Sequence, residues 1–261
     1  MFAYQDGEGP VEVAFTDRHR GIGGGPSASL DLSSRGTSGP GGSTSADEVS
    51  DALDLVSRCL AAAPADPDAV GSAAAGQPRT VVMRQVHGAE VTLVDQAFLR
   101  RGDVPVADGL VTRLTGVVLV VRVADCVPLL LADPDAGVVG AVHVGRAGLV
   151  AGVVPEAIAV MRASGASRVR GWVGPHVCGR CYEVPVSMRE EVAAVVPEAH
   201  AVTSWGTPSV DIGAGVLAQL RRDDVAVTAV SRCTVEDQDL FSYRREGTGS
   251  GRLGGLVWRR P

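Results

Sequence analysis

Residues 116–145 read GVVLVVRVADCVPLLLADPDAGVVGAVHVG. Two apolar runs flank a loop, Asp133-Pro134-Asp135-Ala136-Gly137, whose composition is strong turn chemistry: Pro at the second position, Asp beside it, Gly at the end. Valine- and leucine-rich runs bounded in this way read as buried strands. An antiparallel hairpin is therefore expected. Asp125 and Cys126 interrupt the first run, where a strand should simply bury itself. With Ala132 opposite Gly137, Cys126 falls opposite His143, and facing side chains on paired strands have Cβ atoms about 4.5–5.5 Å apart. That separation suits two ligands of one metal, with zinc–sulfur near ~2.3 Å and zinc–nitrogen near ~2.0 Å. A bulge at Gly137 would move the pairing by one residue. His87, before Gly88 at the end of the strand RTVVMRQVHG, is the third candidate ligand. Taken singly, a His or Cys in an apolar strand is a core residue more often than a ligand. Opposition across one hairpin is what brings the metal reading level with it.

A second metal reading is CGRC, Cys178 to Cys181, with His176 just before it. A C-x₂-C pair is one half of a zinc site. Its other half is missing from the sequence pattern, because Cys59 and Cys233 stand isolated. A thioredoxin-like pair should open a helix after a strand. GPHVCGRCYEV reads instead as a strand and a turn, so these thiols read as structural.

Working outward, VEVAFTDR from Val11 is a strand, followed by a Gly/Ser-rich loop at 21–45. SADEVSDALDLVSRCLAAA is expected to be a helix, with Ser45 as N-cap and Glu48 completing a capping box. It carries Cys59. A second loop, rich in Ala, Gly and Pro, spans 64–78. LVDQAFLRRGDVPVADGLVTR is mixed and ends in a short strand. GLVAGVVPEAIAVMRASG changes to helical period and stops at Gly165. SRVRGWVGPHV, VAVTAVSRCT and GRLGGLVWRR read as strands, VSMREEVAAVV and SVDIGAGVLAQLRR as helices. Paired strands with interspersed helices give a single α+β domain over residues 1–261.

Composition narrows the function classes. The net charge of −6 leaves no electrostatic footprint for nucleic acid. No apolar run approaches the ~18 residues that span a membrane. MFAYQDGEGPVEV lacks a signal-peptide pattern, so a cytoplasmic location is expected. Five cysteines, an odd count, argue against a disulfide framework.

The segments RQVHGAEV, ADGLVT, ADCVPLLLAD, GAVHVGRAG, CGRCYEV and CTVEDQDLFSYRREGTGSGRLGGLVW resemble, in order, those of the YfiH family. That family is described as laccase-domain or polyphenol oxidase-like proteins, and as zinc-dependent purine nucleoside phosphorylases. The resemblance runs from Phe15 to Trp258 and implies a four-layer α/β/β/α fold. It implies a metal held by His87, Cys126 and His143, zinc in the first instance and copper as the alternative. It also implies purine nucleoside and phosphate as substrates: adenosine, inosine or 5′-methylthioadenosine, with adenosine deamination as a second activity. Two departures stand out. The family's HAGWRG reads HVGRAG here, so Arg146 takes the Trp position and Ala147 the Arg position. The family's early SLNLG reads SLDLS, with Asp31 at the Asn. Arg146, three residues after His143, is a candidate for binding phosphate. Arg244 and Arg245 are further candidates. Asp125 is a candidate proton carrier, or an acceptor that holds the fold. A laccase-like copper oxidase and a peptidoglycan-editing factor or pseudoenzyme of the same fold are the alternatives. A laccase's trinuclear copper cluster needs more histidines than the five present.

Overall fold

The computed structural model describes residues 1–19, 32 and 78–260. The expected helix from Ser45 with Cys59, the loops at 21–45 and 64–78, and Asp31 lie outside them.

The segment 116–145 builds three strands rather than two. β6 (Val117–Val123) belongs to a five-stranded sheet of order β1-β2-β13-β6-β3. β7 (Val127–Asp133) and β8 (Val138–Val144) belong to a six-stranded sheet of order β12-β9-β7-β8-β5-β4. The first apolar run is thus two strands in different sheets, and Ala124-Asp125-Cys126 is the crossing between them. Asp125 has φ 91, a left-handed conformation that ends β6 and redirects the chain. Both strands lie between hydrogen-bonded neighbours and are buried along nearly their whole length. That is why the run shows no alternation.

The remaining strands are β1 (Phe2–Glu8), β2 (Val11–Thr16), β3 (Arg79–Val81), β4 (Val91–Val94), β5 (Gly109–Thr112), β9 (Arg170–Val173), β12 (Ala226–Ala229) and β13 (Leu253–Arg259). β10 (His200–Val202) and β11 (Pro208–Val210) form a separate hairpin. The two large sheets face each other. Val13, Phe15, Leu119, Val121 and Val257 of one pack against Leu130, Ala141 and Trp172 of the other. The far face of the six-stranded sheet, with Leu129, Leu131 and Val142, is covered by the helices Val153–Ala163, Val186–Val195 and Ile212–Arg222. The far face of the five-stranded sheet carries Val118, Val120, Leu256 and Trp258, all buried with Leu32. The domain is α+β, and the described residues supply three of the four expected layers.

Several expectations need correction. Asp133 pairs with Val138, so the hairpin loop is Pro134 to Gly137, with Gly137 at φ 63. Pro128, not Cys126, stands opposite His143. The shift is two residues, which preserves the face of every side chain. Asp133 fixes the loop by accepting hydrogen bonds from the backbone N–H of Ala136, Ser167 and Arg168. The strand expected to reach His87 ends at Val81. The helix expected up to Gly165 is broken at Gly152 (φ 85) into Arg146–Ala151 and Val153–Ala163. β1 was not foreseen; it pairs with β2 across a turn at Gly9.

Candidate metal centre and its cavity

His143 is the last residue but one of β8 and Cys126 immediately precedes β7, so the hairpin places them as diagonal neighbours on one face. His87 arrives from the other sheet's side on a turn, with φ 60. An Asp108 carboxylate organises all of this. Its Oδ2 accepts hydrogen bonds from the N–H of Val86 (3.1 Å) and Gly88 (2.7 Å). Its Oδ1 accepts from the N–H of His87 (3.0 Å) and from Nδ1 of His143 (2.7 Å). One fully buried carboxylate therefore bends the 86–88 turn and orients the His143 ring. With Nδ1 of His143 engaged, its Nε2 is the nitrogen left for a metal.

The ligand atoms of His87, Cys126 and His143 lie within 4.8 Å of one another. Cys126 Sγ is 3.6 Å from His87 Nε2, and the two imidazoles meet edge to face with centroids 4.7 Å apart. Gly145 leaves the room: a Cβ there would sit 2.4 Å from His87 Cδ2 and 3.3 Å from Cys126 Sγ. Burial works to raise the Cys126 thiol, but His143 and then His87 outweigh it and bring its pKa down to about 6. Burial works to lower His143, but Asp108 and then Cys126 push it up to about 9. A thiolate and two imidazoles converging from three chain segments fit a divalent transition metal.

The triad opens into a cavity of about 740 Å³. Arg84, Arg122, Arg244 and Arg252 line it, as do Tyr182 and Tyr243. Arg122 is largely committed elsewhere, donating to the carbonyls of Met83 and Leu32. The Arg244 guanidinium lies 4.7 Å over the Tyr182 ring. Burial raises the pKa of that phenol. Asp125 also lines the cavity, but both its oxygens are engaged. Oδ1 accepts from the Thr234 hydroxyl (2.6 Å), and Oδ2 from the Arg244 N–H (2.7 Å). It anchors the segment that carries Arg244. Arg245 points away and donates to the carbonyls of Thr234, Val235, Asp237 and Leu240. Arg146 opens a helix beside the triad and is not among the lining residues, although its charge reaches Tyr182.

Sequence reasoning missed Asp108 and Tyr182 and did not separate Arg244 from Arg245. The signal for Asp108 was present: a lone carboxylate entering the wholly buried strand GLVT must be hydrogen-bonded. It also read Cys178 and Cys181 as structural thiols without the other half of a site, whereas Cys233 and Glu236 lie beside them, all four ligand atoms within 4.8 Å.

Two stacked mixed sheets, with a His₂Cys cluster where the chain crosses between them, define an α+β protein with a candidate mononuclear metal centre. The chain belongs to the family described as multi-copper polyphenol oxidoreductase laccase, whose profile matches residues 12–260. It is 46% identical over 261 residues to a protein of Streptomyces coelicolor named purine nucleoside phosphorylase, with 99% of each chain covered. A Neisseria meningitidis protein of the DUF152 family superposes with a TM-score of 0.78 at 26% identity, covering 100% of this chain and 99% of that one. The Bacillus licheniformis protein YfiH shares the fold, with a TM-score of 0.74 at 20% identity over 96% and 93% of the two chains. Among the described residues no helix is long and apolar enough to cross a membrane.

Proposed function

We propose that the protein is a zinc-dependent purine nucleoside phosphorylase that acts on adenosine or inosine. The observation that carries the reading is the meeting, in one cavity, of the His87–Cys126–His143 cluster with arginines and tyrosines. The phosphorylase name of the Streptomyces relative supports the substrate class.

His87, Cys126 and His143 would hold a zinc ion, which would supply Lewis acidity toward an oxygen of phosphate or nucleoside. Asp108 keeps His143 in the tautomer that presents Nε2 and holds His87 on its turn. Arg244 offers a planar fork of donors to a phosphate oxygen. Asp125 acts as its positioning residue by gripping the backbone N–H of Arg244. Arg146, just outside, adds positive potential. Tyr182 and Tyr243 give the purine aromatic faces and a hydroxyl. In the reaction a phosphate oxygen forms a bond to C1′, the bond from C1′ to the purine nitrogen breaks, and ribose 1-phosphate and free base leave.

The copper-oxidase alternative has the mononuclear cluster but not the rest of a laccase. His19 pairs with Asp239, His176 Nδ1 donates to the Gly174 carbonyl, and His200 lies at Glu190, all apart from the triad.

The test is base release from adenosine and inosine with and without phosphate. Phosphate-dependent release is expected. Inosine formed from adenosine without base would report deamination. Zinc-loaded, folded protein that turns over neither substrate would sink the phosphorylase reading and leave the editing-factor or pseudoenzyme alternative.

A further inference from the structure

We propose a second metal site, built by Cys178, Cys181, Cys233 and Glu236, that binds a thiolate-preferring divalent ion such as zinc and braces the wall of the cavity. The four ligand atoms lie within 4.8 Å of one another. In a tetrahedral site with zinc–sulfur bonds near ~2.3 Å, ligand atoms are about 3.8 Å apart, so side-chain adjustments of under about 1 Å close the shell.

The ligands come as two pairs of equal spacing, Cys178-x₂-Cys181 and Cys233-x₂-Glu236, which the fold brings together from 55 residues apart. Each pair sits on a tight turn. The Cys178 carbonyl accepts from the N–H of Cys181 and Tyr182, and the Cys233 carbonyl from the N–H of Asp237. The turns are fastened to each other. Cys178 N–H donates to Cys233 Sγ at 3.4 Å, Cys181 Sγ meets Glu236 Oε1 at 3.6 Å, and His176 and Cys233 form a β-bridge. Three thiolates and a carboxylate around a divalent ion leave net negative charge. Arg180, on the first turn, offsets it from 3.5 Å at Glu236. His176 is not one of the set: its Nδ1 donates to the Gly174 carbonyl and its Nε2 lies against Gly213.

Four protein ligands make a closed, structural site, in contrast to the three-ligand triad with its open position. Its consequence for the cavity follows from the chain. Tyr182 follows Cys181, and Thr234, which donates to Asp125, follows Cys233. One ion would therefore tie both segments that position Tyr182, Asp125 and Arg244.

The test is elemental analysis of the full chain purified under reducing conditions. The expected content is about two zinc per chain in the wild type, about one in Cys126→Ala and about one in the double variant Cys178→Ser/Cys233→Ser, because serine is a poor zinc ligand. Should the double variant fail to fold, alkylation of the wild type with mass-spectrometric readout decides. Cys178, Cys181 and Cys233 should be protected by zinc and become reactive on chelation. A single zinc in fully reduced wild type, a second zinc retained by the double variant, thiols that alkylate equally with and without chelator, or a disulfide among these cysteines would each overturn the proposal. Because the triad variant is scored separately, failure here leaves the phosphorylase reading standing.

Discussion

Asp108→Asn is the substitution whose cost the structure defines most closely. The carboxylate accepts four hydrogen bonds, two at each oxygen: Val86 N–H and Gly88 N–H at Oδ2, His87 N–H and His143 Nδ1 at Oδ1. An asparagine has the same shape but only one accepting oxygen. Turned toward Val86 and Gly88, the amide NH₂ leaves both N–H groups unmet; turned toward His87 and His143, it leaves the His87 N–H unmet and drives His143 into the tautomer that carries its proton on Nε2. At about 1–3 kcal/mol for each unmet buried group, the loss is roughly 1–6 kcal/mol. For a domain of this size that lowers the melting temperature by on the order of 10 °C. The same change frees His143 from its orienting partner, which typically costs about 10–100-fold in metal affinity. Thermal unfolding of chelator-treated protein reads the first effect, and zinc competition against a chromophoric chelator reads the second. Unchanged melting together with unchanged zinc affinity in Asp108→Asn would refute the view that this carboxylate organises the centre.

Gly145→Ala is a purely steric probe, since Gly145 has φ −85, open to any residue, and its Cβ would intrude on His87 and crowd Cys126. Zinc affinity of the triad should fall by about tenfold or more, by displacement of a ligand, while far-ultraviolet circular dichroism stays that of the wild type. Arg244→Ala should raise the KM for phosphate about 10–100-fold, the worth of one or two charge-assisted hydrogen bonds, without loss of metal. Arg245→Ala should instead lower stability, because its guanidinium caps four carbonyls. At Asp133, burial opposes the charge but the N–H groups of Ala136, Arg168 and Ser167 outweigh it and hold its carboxyl below the usual range. Its stabilisation is thus complete above the ordinary carboxylate pKa and fades as pH falls through the lower folded value. Urea titrations over that acid range should show a shallower loss of stability in Asp133→Asn than in the wild type.

The parts of the fold readable from sequence were those with local cause. Pro134 and Gly137 announced the hairpin, and a two-residue error in its register left Cys126 and His143 on one face because side chains alternate with period two. What escaped was tertiary. The run 116–131 conceals a crossing between sheets, since a strand buried on both faces looks the same in either sheet. Asp125 was weighed as a strand residue when it is the corner, with both oxygens spent on Thr234 and Arg244 from the far end of the chain. β1, with its polar alternation and turn at Gly9, gave too weak a pattern to stand alone. The approach of Cys233 to Cys178 has no signature in either segment. The two look-alike arginines of SYRREG part company only once their carbonyl and ring neighbours are seen.

The account rests on the triad's metal being the seat of phosphorolysis. Its most direct measurement is ribose 1-phosphate formed from inosine and phosphate by the protein as purified, after chelation and after zinc is restored, alongside Cys126→Ser carried through the same cycle. The account predicts turnover that disappears on chelation, returns with zinc in the wild type and never returns in Cys126→Ser. Undiminished turnover by the chelated wild type, or by Cys126→Ser, would contradict it.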